Sequence, residues 1–143
     1  MSETTFERTM PILDVTDMTR SVAFYRDQLG FRTNMRGEPA TFTICQRDTI
    51  TIGLCLIDGA PPKAAHWSAY LYVSSVDDIH DEFRAANVAI TSQIGDRFYG
   101  CRDFDITDPD GYILAFGQAL NTANDDLGPG LGPATHQPQD QPS

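Results

Sequence analysis

The side chains able to do chemistry in this chain fall into a few sets. The densest is aromatic: Trp67, Tyr70 and Tyr72 lie close together, and Tyr99 follows in the same half. Rings so placed can stack on a flat organic group, at about 0.5 to 1.5 kcal/mol per pair beyond the area buried. A second set is carboxylate: Asp14, Asp103 and Asp105. Residues 103 and 105 share a face if they lie on one strand, and each is either a groove group or a solvated strand-edge charge. Histidines occur at 66, 80 and 136, and cysteines at 45, 55 and 101. The cysteines lack the close pairs of a zinc ribbon or redox motif and read as buried free thiols. An enzyme built from such groups without a metal would draw on Asp14, His66, Tyr70 and Tyr99, but no nucleophile, base and orienter stand at a telling spacing.

Composition removes several other classes. At 143 residues the expectation is one domain. The hydrophobic fraction of 41% is ordinary, and no run approaches the roughly 18 apolar residues that span a bilayer. Twenty acidic against ten basic residues give a net charge of -10. That charge repels a phosphate backbone or an anionic membrane, so neither is an expected partner. It serves solubility or the attraction of cationic ligands. The first residues, with Glu3 and Glu7, lack the apolar stretch of a secretory signal, and a cytoplasmic location is expected.

The elements that must position these groups repeat. Residues 11–15 read as a strand, Thr16 and Asp17 as a turn and cap, and 18–29 as a helix with an apolar stripe stopped by Gly30. Residues 31–36, 40–47 and 50–58 then read as three strands separated by turn signals. After the Pro-rich joint at 59–63 the order returns. Residues 67–73 form a strand, Ser75 with Asp78 caps a helix striped by Ile79, Phe83 and Ala86, and strands follow at 90–94, 100–107 and 112–117. Asp108 to Gly111 make the last tight turn. Setting Val15 on Val73 brings Tyr25 onto Phe83, an ordered internal duplication. The fold class is therefore α+β, two βαβββ modules at about 8–58 and 66–118 in a single domain over 1–120. Residues 121–143, rich in Gly, Pro and Gln, read as a tail, with His136 inside it.

The modules, together with the stretches 15–31 and 100–112, resemble the vicinal oxygen chelate superfamily, which includes glyoxalase I, extradiol dioxygenases and bleomycin-resistance proteins. The resemblance covers roughly 8–118 and implies curved mixed sheets around a groove. The superfamily's enzymes hold a divalent metal through His, Gln or Glu, and their ligand positions fall here on Met10, Ser68 and Ala115. A thioether, a hydroxyl and a methyl do not replace imidazole and carboxylate, so neither metal nor other cofactor is expected. His66 lies two residues from Ser68; His80 falls on the second helix as a surface or partly buried residue.

Within the superfamily, Phe42 to Ile52 resembles the corresponding hairpin of the bleomycin-resistance branch, and Phe98-Tyr99-Gly100-Cys101-Arg102 its aromatic-Gly-x-Arg stretch. The resemblance makes Phe42 and Tyr99 candidates for stacking a planar ligand, or else ordinary core or interface rings. Tyr70 and Tyr72 share the parity of Ser68 and so the expected cavity face, while Trp67 adds aromatic surface. Arg102 reads as an ion-pairing residue near the turn. The expectation is metal-independent binding of a small, planar or cationic molecule by a homodimer, with Asp14 and Asp103 beside the rings. The alternative is a metal-dependent lyase, thiol transferase or dioxygenase of the same superfamily.

Overall fold

The computed structural model describes residues 3–37, 40–61 and 63–120; the expected tail at 121–143 lies outside them. The chain forms two compact units that meet between Lys63 and Ala64.

Unit one contains β1 (Ile12–Val15), α1 (Met18–Ala23), β2 (Arg32–Arg36), β3 (Phe42–Arg47) and β4 (Ile50–Leu56), with sheet order β1-β4-β3-β2. β1 runs parallel to β4 and the other pairs are antiparallel. Alternation sends Leu13, Val15, Cys45, Ile52 and Leu54 to the buried side, where Val22, Tyr25 and Leu29 cover them. Asp17 caps α1 by accepting the Arg20 amide at 3.0 Å, as its type predicts.

The single helix expected over 18–29 is divided. The α-helix stops at Ala23, and Phe24–Gln28 form a wider π turn in which the Leu29 amide bonds the Phe24 carbonyl at 3.1 Å. The wider turn buries the consecutive rings Phe24 and Tyr25 together, in edge-on contact at 5.2 Å, and Tyr25 meets Phe31 edge-on at 6.1 Å.

Unit two repeats the plan with β5 (Trp67–Tyr72), α2 (Val76–Ala85), β6 (Gly95–Asp96), β7 (Cys101–Thr107) and β8 (Ile113–Ala119), in the order β5-β8-β7-β6. Phe83 of α2 meets Phe116 at 5.1 Å and Phe104 at 6.1 Å, and His80 stands edge-on to Phe104 at 5.0 Å. That contact makes His80 a packing residue. The turn before β8 forms as expected: the buried Asp108 carboxylate accepts the Asp110 and Tyr112 amides at 2.9 Å each, and Gly111 takes φ 93°.

Two local expectations fail here. The strand expected over 90–94 is reduced to a bridge between Ile90 and Ile106, with β6 only two residues long at 95–96. Ser92 explains it: its hydroxyl accepts the Asp105 amide at 2.7 Å, replacing the backbone carbonyl a continuous strand would offer. Ser75 does stand before α2 with extended backbone, but its side chain makes no capping bond. The Val76 amide instead donates to Gln118 Oε1 at 2.9 Å, so the helix start is tied to β8.

Candidate functional site

In unit two the sheet face turned away from α2 carries the candidate groups. β8 pairs on both sides, so its partners define rows across that face: Tyr70, Ala115 and Asp105 share one row, and Tyr72, Gly117 and Asp103 the next. Simple alternation places Trp67 on the opposite face from Tyr70. A β-bulge corrects this, because Trp67 pairs with Ile113 while Ala69 pairs with the adjacent Leu114. Ser68 is the extra residue, and Trp67 joins the tyrosines. Its ring lies 4.9 Å from Tyr70 and 6.1 Å from Tyr99, and Tyr70 lies 5.0 Å from Tyr72. Trp67 and Tyr72 remain 44% and 40% exposed, which leaves ring surface open to a ligand.

Asp103 organises this surface. Its side chain is 2% exposed and takes the Arg97 guanidinium at 2.7 Å on one oxygen. The other oxygen accepts the Tyr70 hydroxyl at 2.8 Å and the Tyr99 hydroxyl. Arg97 also donates to the carbonyls of Gln93 and Asp103. Burial above all pushes both phenols well above the usual tyrosine range, followed at Tyr70 by hydrogen bonding with Cys101 and then Asp103, and at Tyr99 by the hydrogen bond to Asp103. Both tyrosines are therefore neutral donors with fixed rings. Asp103, expected beside the ligand, directs its carboxylate oxygens to Arg97, Tyr70 and Tyr99 of its own unit.

Gly117 makes the arrangement possible. A Cβ there would come within 2.7 Å of the Tyr70 ring and closer still to its hydroxyl, so only hydrogen at this position lets the ring cross β8 to reach Asp103. Asp105 sits one row further along and accepts the Trp67 indole at 3.0 Å. Burial raises its pKa above the ordinary carboxylate value, partly opposed by that indole hydrogen bond. Arg102 pairs with Asp77 at 3.1 Å and Asp96 at 3.0 Å, away from the rings. His66 precedes β5 and is exposed.

Phe42 and Asp14 belong to unit one and share a row there through Cys55, on the face turned away from α1. Phe42 is half-buried and lies over Gly53, where a Cβ would meet its ring at 2.9 Å. Unit two thus gathers Trp67, Tyr70, Tyr72, Tyr99 and Asp103, and unit one places Phe42 and Asp14 on one face of its own sheet.

The positions at which the superfamily's enzymes hold their metal do not fit one. Met10 is half-buried before β1, and Ala115 is fully buried in the row of Tyr70 and Asp105. The third position needs correction in space: the bulge puts Trp67, and not Ser68, next to Tyr70 on the candidate face. An indole is not a ligand for a divalent ion. Among the described residues no three His, Cys, Asp or Glu side chains gather at a metal-binding spacing. Also among them, no helix is long and apolar enough to cross a membrane.

Sequence reasoning missed Arg97. The signal was local: Gly100 at φ 92° closes a turn in which its amide bonds the Arg97 carbonyl at 3.1 Å and the Arg97 amide bonds the Cys101 carbonyl at 2.7 Å. That turn folds residue 97 back alongside the strand carrying Asp103.

Paired βαβββ units with open four-stranded sheets define the class. Residues 8–116 match the family model of the Glyoxalase/Bleomycin resistance protein/Dioxygenase superfamily, and the chain belongs to that superfamily. Among solved structures it is similar to the bleomycin resistance determinant encoded on the transposon Tn5, at 22% identity over 81% of this chain and 100% of that one, TM-score 0.69. It is also similar to the bleomycin-binding protein of Streptomyces verticillus complexed with copper(II)-bleomycin, at 23% identity over 79% and 96%, TM-score 0.64. TioX from Micromonospora sp. ML1 aligns at 19% identity over 80% and 100%, TM-score 0.67. These likenesses show the fold. Among curated proteins, none matches the chain.

Proposed function

We propose that the chain binds a small organic molecule without a metal, holding it for sequestration or carriage, with a flat part of the ligand stacked on the rings of unit two. The observation that carries this reading is the ring surface of Trp67, Tyr70, Tyr72 and Tyr99, in which the Tyr70 and Tyr99 phenols are anchored on Asp103 while Trp67 and Tyr72 stay exposed. Rings held before the ligand arrives lose little freedom on binding, which favours affinity. Ring faces also attract cations by about 0.5 to 2 kcal/mol as burial increases, and Asp105 lies beside them. A planar positive group suits this surface. Two of the structural relatives are a bleomycin-binding protein and a bleomycin resistance determinant, and their ligand chemistry is consistent with the reading. The cytoplasm is the proposed location.

The same reading includes a homodimer. Ile12 is 56% exposed and Phe98 98%, apolar surface of the kind a partner copy covers. A stable interface buries about 800 Å² per partner, and light scattering at micromolar concentration decides between a dimer and a 15.8 kDa species.

Trp67 is the sole tryptophan, so its emission reports binding directly. Titration with a bleomycin-type glycopeptide, a cationic aromatic dye and a matched anionic dye is expected to quench Trp67 with the cationic planar ligands, and Tyr99→Ala to weaken that binding about tenfold. Tighter binding of the anionic dye at this surface, or full binding by Tyr99→Ala, would overturn the proposal. Elemental analysis of tag-free protein tests the metal-dependent alternative, which requires a stoichiometric ion that survives mild chelation.

A further inference from the structure

Seven of the ten basic residues lie in unit one, against eight acidic ones, whereas unit two has three basic and twelve acidic residues. On unit one, the face turned away from α1 opens a recess of about 730 Å³ whose edges carry Arg8, Arg32 and Arg36. We propose that this recess is a binding site for a small organic anion, a carboxylate or a phosphate monoester. The proposal is argued from residues of unit one alone, among them Met10.

Strand geometry brings the cations together. Arg32, Asn34 and Arg36 alternate along β2 and therefore project from one face, the arginines about 13 Å apart at the rise of an extended strand. The row of Arg32 continues through Gln46 to Thr51. Arg8 approaches from the segment before β1, which Thr51 holds by donating its hydroxyl to the Thr9 carbonyl at 3.3 Å. Ile44, in the row of Asn34, gives the recess an apolar floor.

Charge makes the grouping informative. The protein has ten basic and twenty acidic residues, yet three of the ten line this recess and, among the described residues, no carboxylate does. Elsewhere the arginines Arg26, Arg97 and Arg102 face aspartates directly. A guanidinium presents a planar fork of donors that matches a carboxylate or phosphate in two hydrogen bonds. Side-chain amides and hydroxyls extend the donor set, and the apolar floor suits the carbon body of a ligand. The volume lies within the roughly 300 to 1,000 Å³ of small-molecule sites, larger than a bare ion requires.

The test follows the arginine Nε–Hε signals by NMR during titration with benzoate, phenyl phosphate and the neutral benzamide. Saturable shifts at Arg8, Arg32 and Arg36 are expected with the anions and not with benzamide. Affinity is expected to fall at least tenfold in Arg32→Gln and in Arg36→Gln, both exposed positions, and to be unchanged in Arg84→Gln. The backbone spectrum of each variant reports an intact fold. Tighter binding of phenyl phosphate identifies phosphate esters as the class, and tighter binding of benzoate identifies carboxylates. Three results would overturn the proposal: equal shifts from benzamide, anion shifts spread evenly over Arg20, Arg26 and Arg84, or unchanged affinity in both Gln variants.

Discussion

Phe42 in unit one and Asp103 in unit two occupy the same place in a repeated frame. Aligning Val15 with Val73 matches the β1–β4 rows to the β5–β8 rows, so that Cys55 corresponds to Gly117, and these are the partners of Phe42 and Asp103 respectively. In unit one a ring grows from the third strand and crosses Gly53. In unit two a ring grows from the first strand and crosses Gly117 to meet a carboxylate on the third. The backbone plan is shared, and the chemistry of each exposed face is set by which strand supplies the ring and which supplies the glycine. A duplicated fold can thereby carry cations on one unit and fixed tyrosines on the other.

The largest effect that separates the units is expected at Asp103. Asp103→Ala leaves the Arg97 guanidinium and two phenols without their acceptor. The expected loss is about 3 kcal/mol, toward the low end for a broken buried pair, because Arg97 keeps 32% of its side chain in water. Phe42→Ala, at the matching position, removes a half-buried ring and is expected to cost about 2 kcal/mol. Urea denaturation of both variants checks the order; equal losses would show that Asp103 does not organise its unit.

The glycines give the next contrast. Gly117→Ala drives a methyl into the Tyr70 ring and Gly53→Ala presses only on the edge of Phe42 and on Ile12, with expected costs of about 2 and 1 kcal/mol. Combined with Tyr70→Ala, Gly117→Ala is expected to lose its own cost, which a double-mutant cycle measures.

Asp105 stands where unit one has Ile44, and its effect is smaller and pH-dependent. Its folded pKa is raised by burial, so the folded state holds the proton more tightly than the unfolded chain, whose value is near 3.9. Stability contributed by this group therefore rises as pH falls through the folded pKa and is complete below the unfolded one. Asp105→Asn is expected to raise the melting temperature at pH 7 by about 1 to 3 °C and to flatten that dependence. A lower melting temperature would count against burial as the cause.

The smallest expected effect contrasts two faces within unit one. Burial pushes the Cys45 thiol up to about 12, whereas Cys55 is half-buried on the other face. Iodoacetamide at pH 8 is expected to modify Cys55 in native protein and leave Cys45 intact, as peptide mass mapping will show; labelling of Cys45 at the rate of Cys55 would break the distinction.

Both βαβββ units were legible because their apolar alternation and turn residues are local signals, and the copy in the second half repeated them. Tyr70 and Tyr72 were placed on the right face for the same reason. Trp67 was not, since a bulge is a pairing property visible only once β8 is alongside. Ser75 had the right type for a cap, but Gln118, distant in sequence, takes the bond. Asp103 was legible as a candidate beside the rings but its bonding was not, because its partners come both from the turn just before its own strand, Arg97 and Tyr99, and from β5, Tyr70. The recess of unit one was missed because a net charge of -10 averages away a local cluster of arginines.

The bulge at Ser68 separates two kinds of neighbour relation. Along the chain, Ser68 is the residue two before Tyr70; across the sheet, that place belongs to Trp67. The extra residue changes how spacing along the chain maps onto the sheet: counting back two from Tyr70 reaches Ser68, while the neighbour on that face is Trp67. Losing Ser68 would restore regular alternation and keep Trp67 on its present face, whereas losing Ala69 would shorten the strand by a residue that has its own partner in β8. A one-residue deletion at Ser68 would therefore alter the count along the chain and leave the same indole beside the tyrosines.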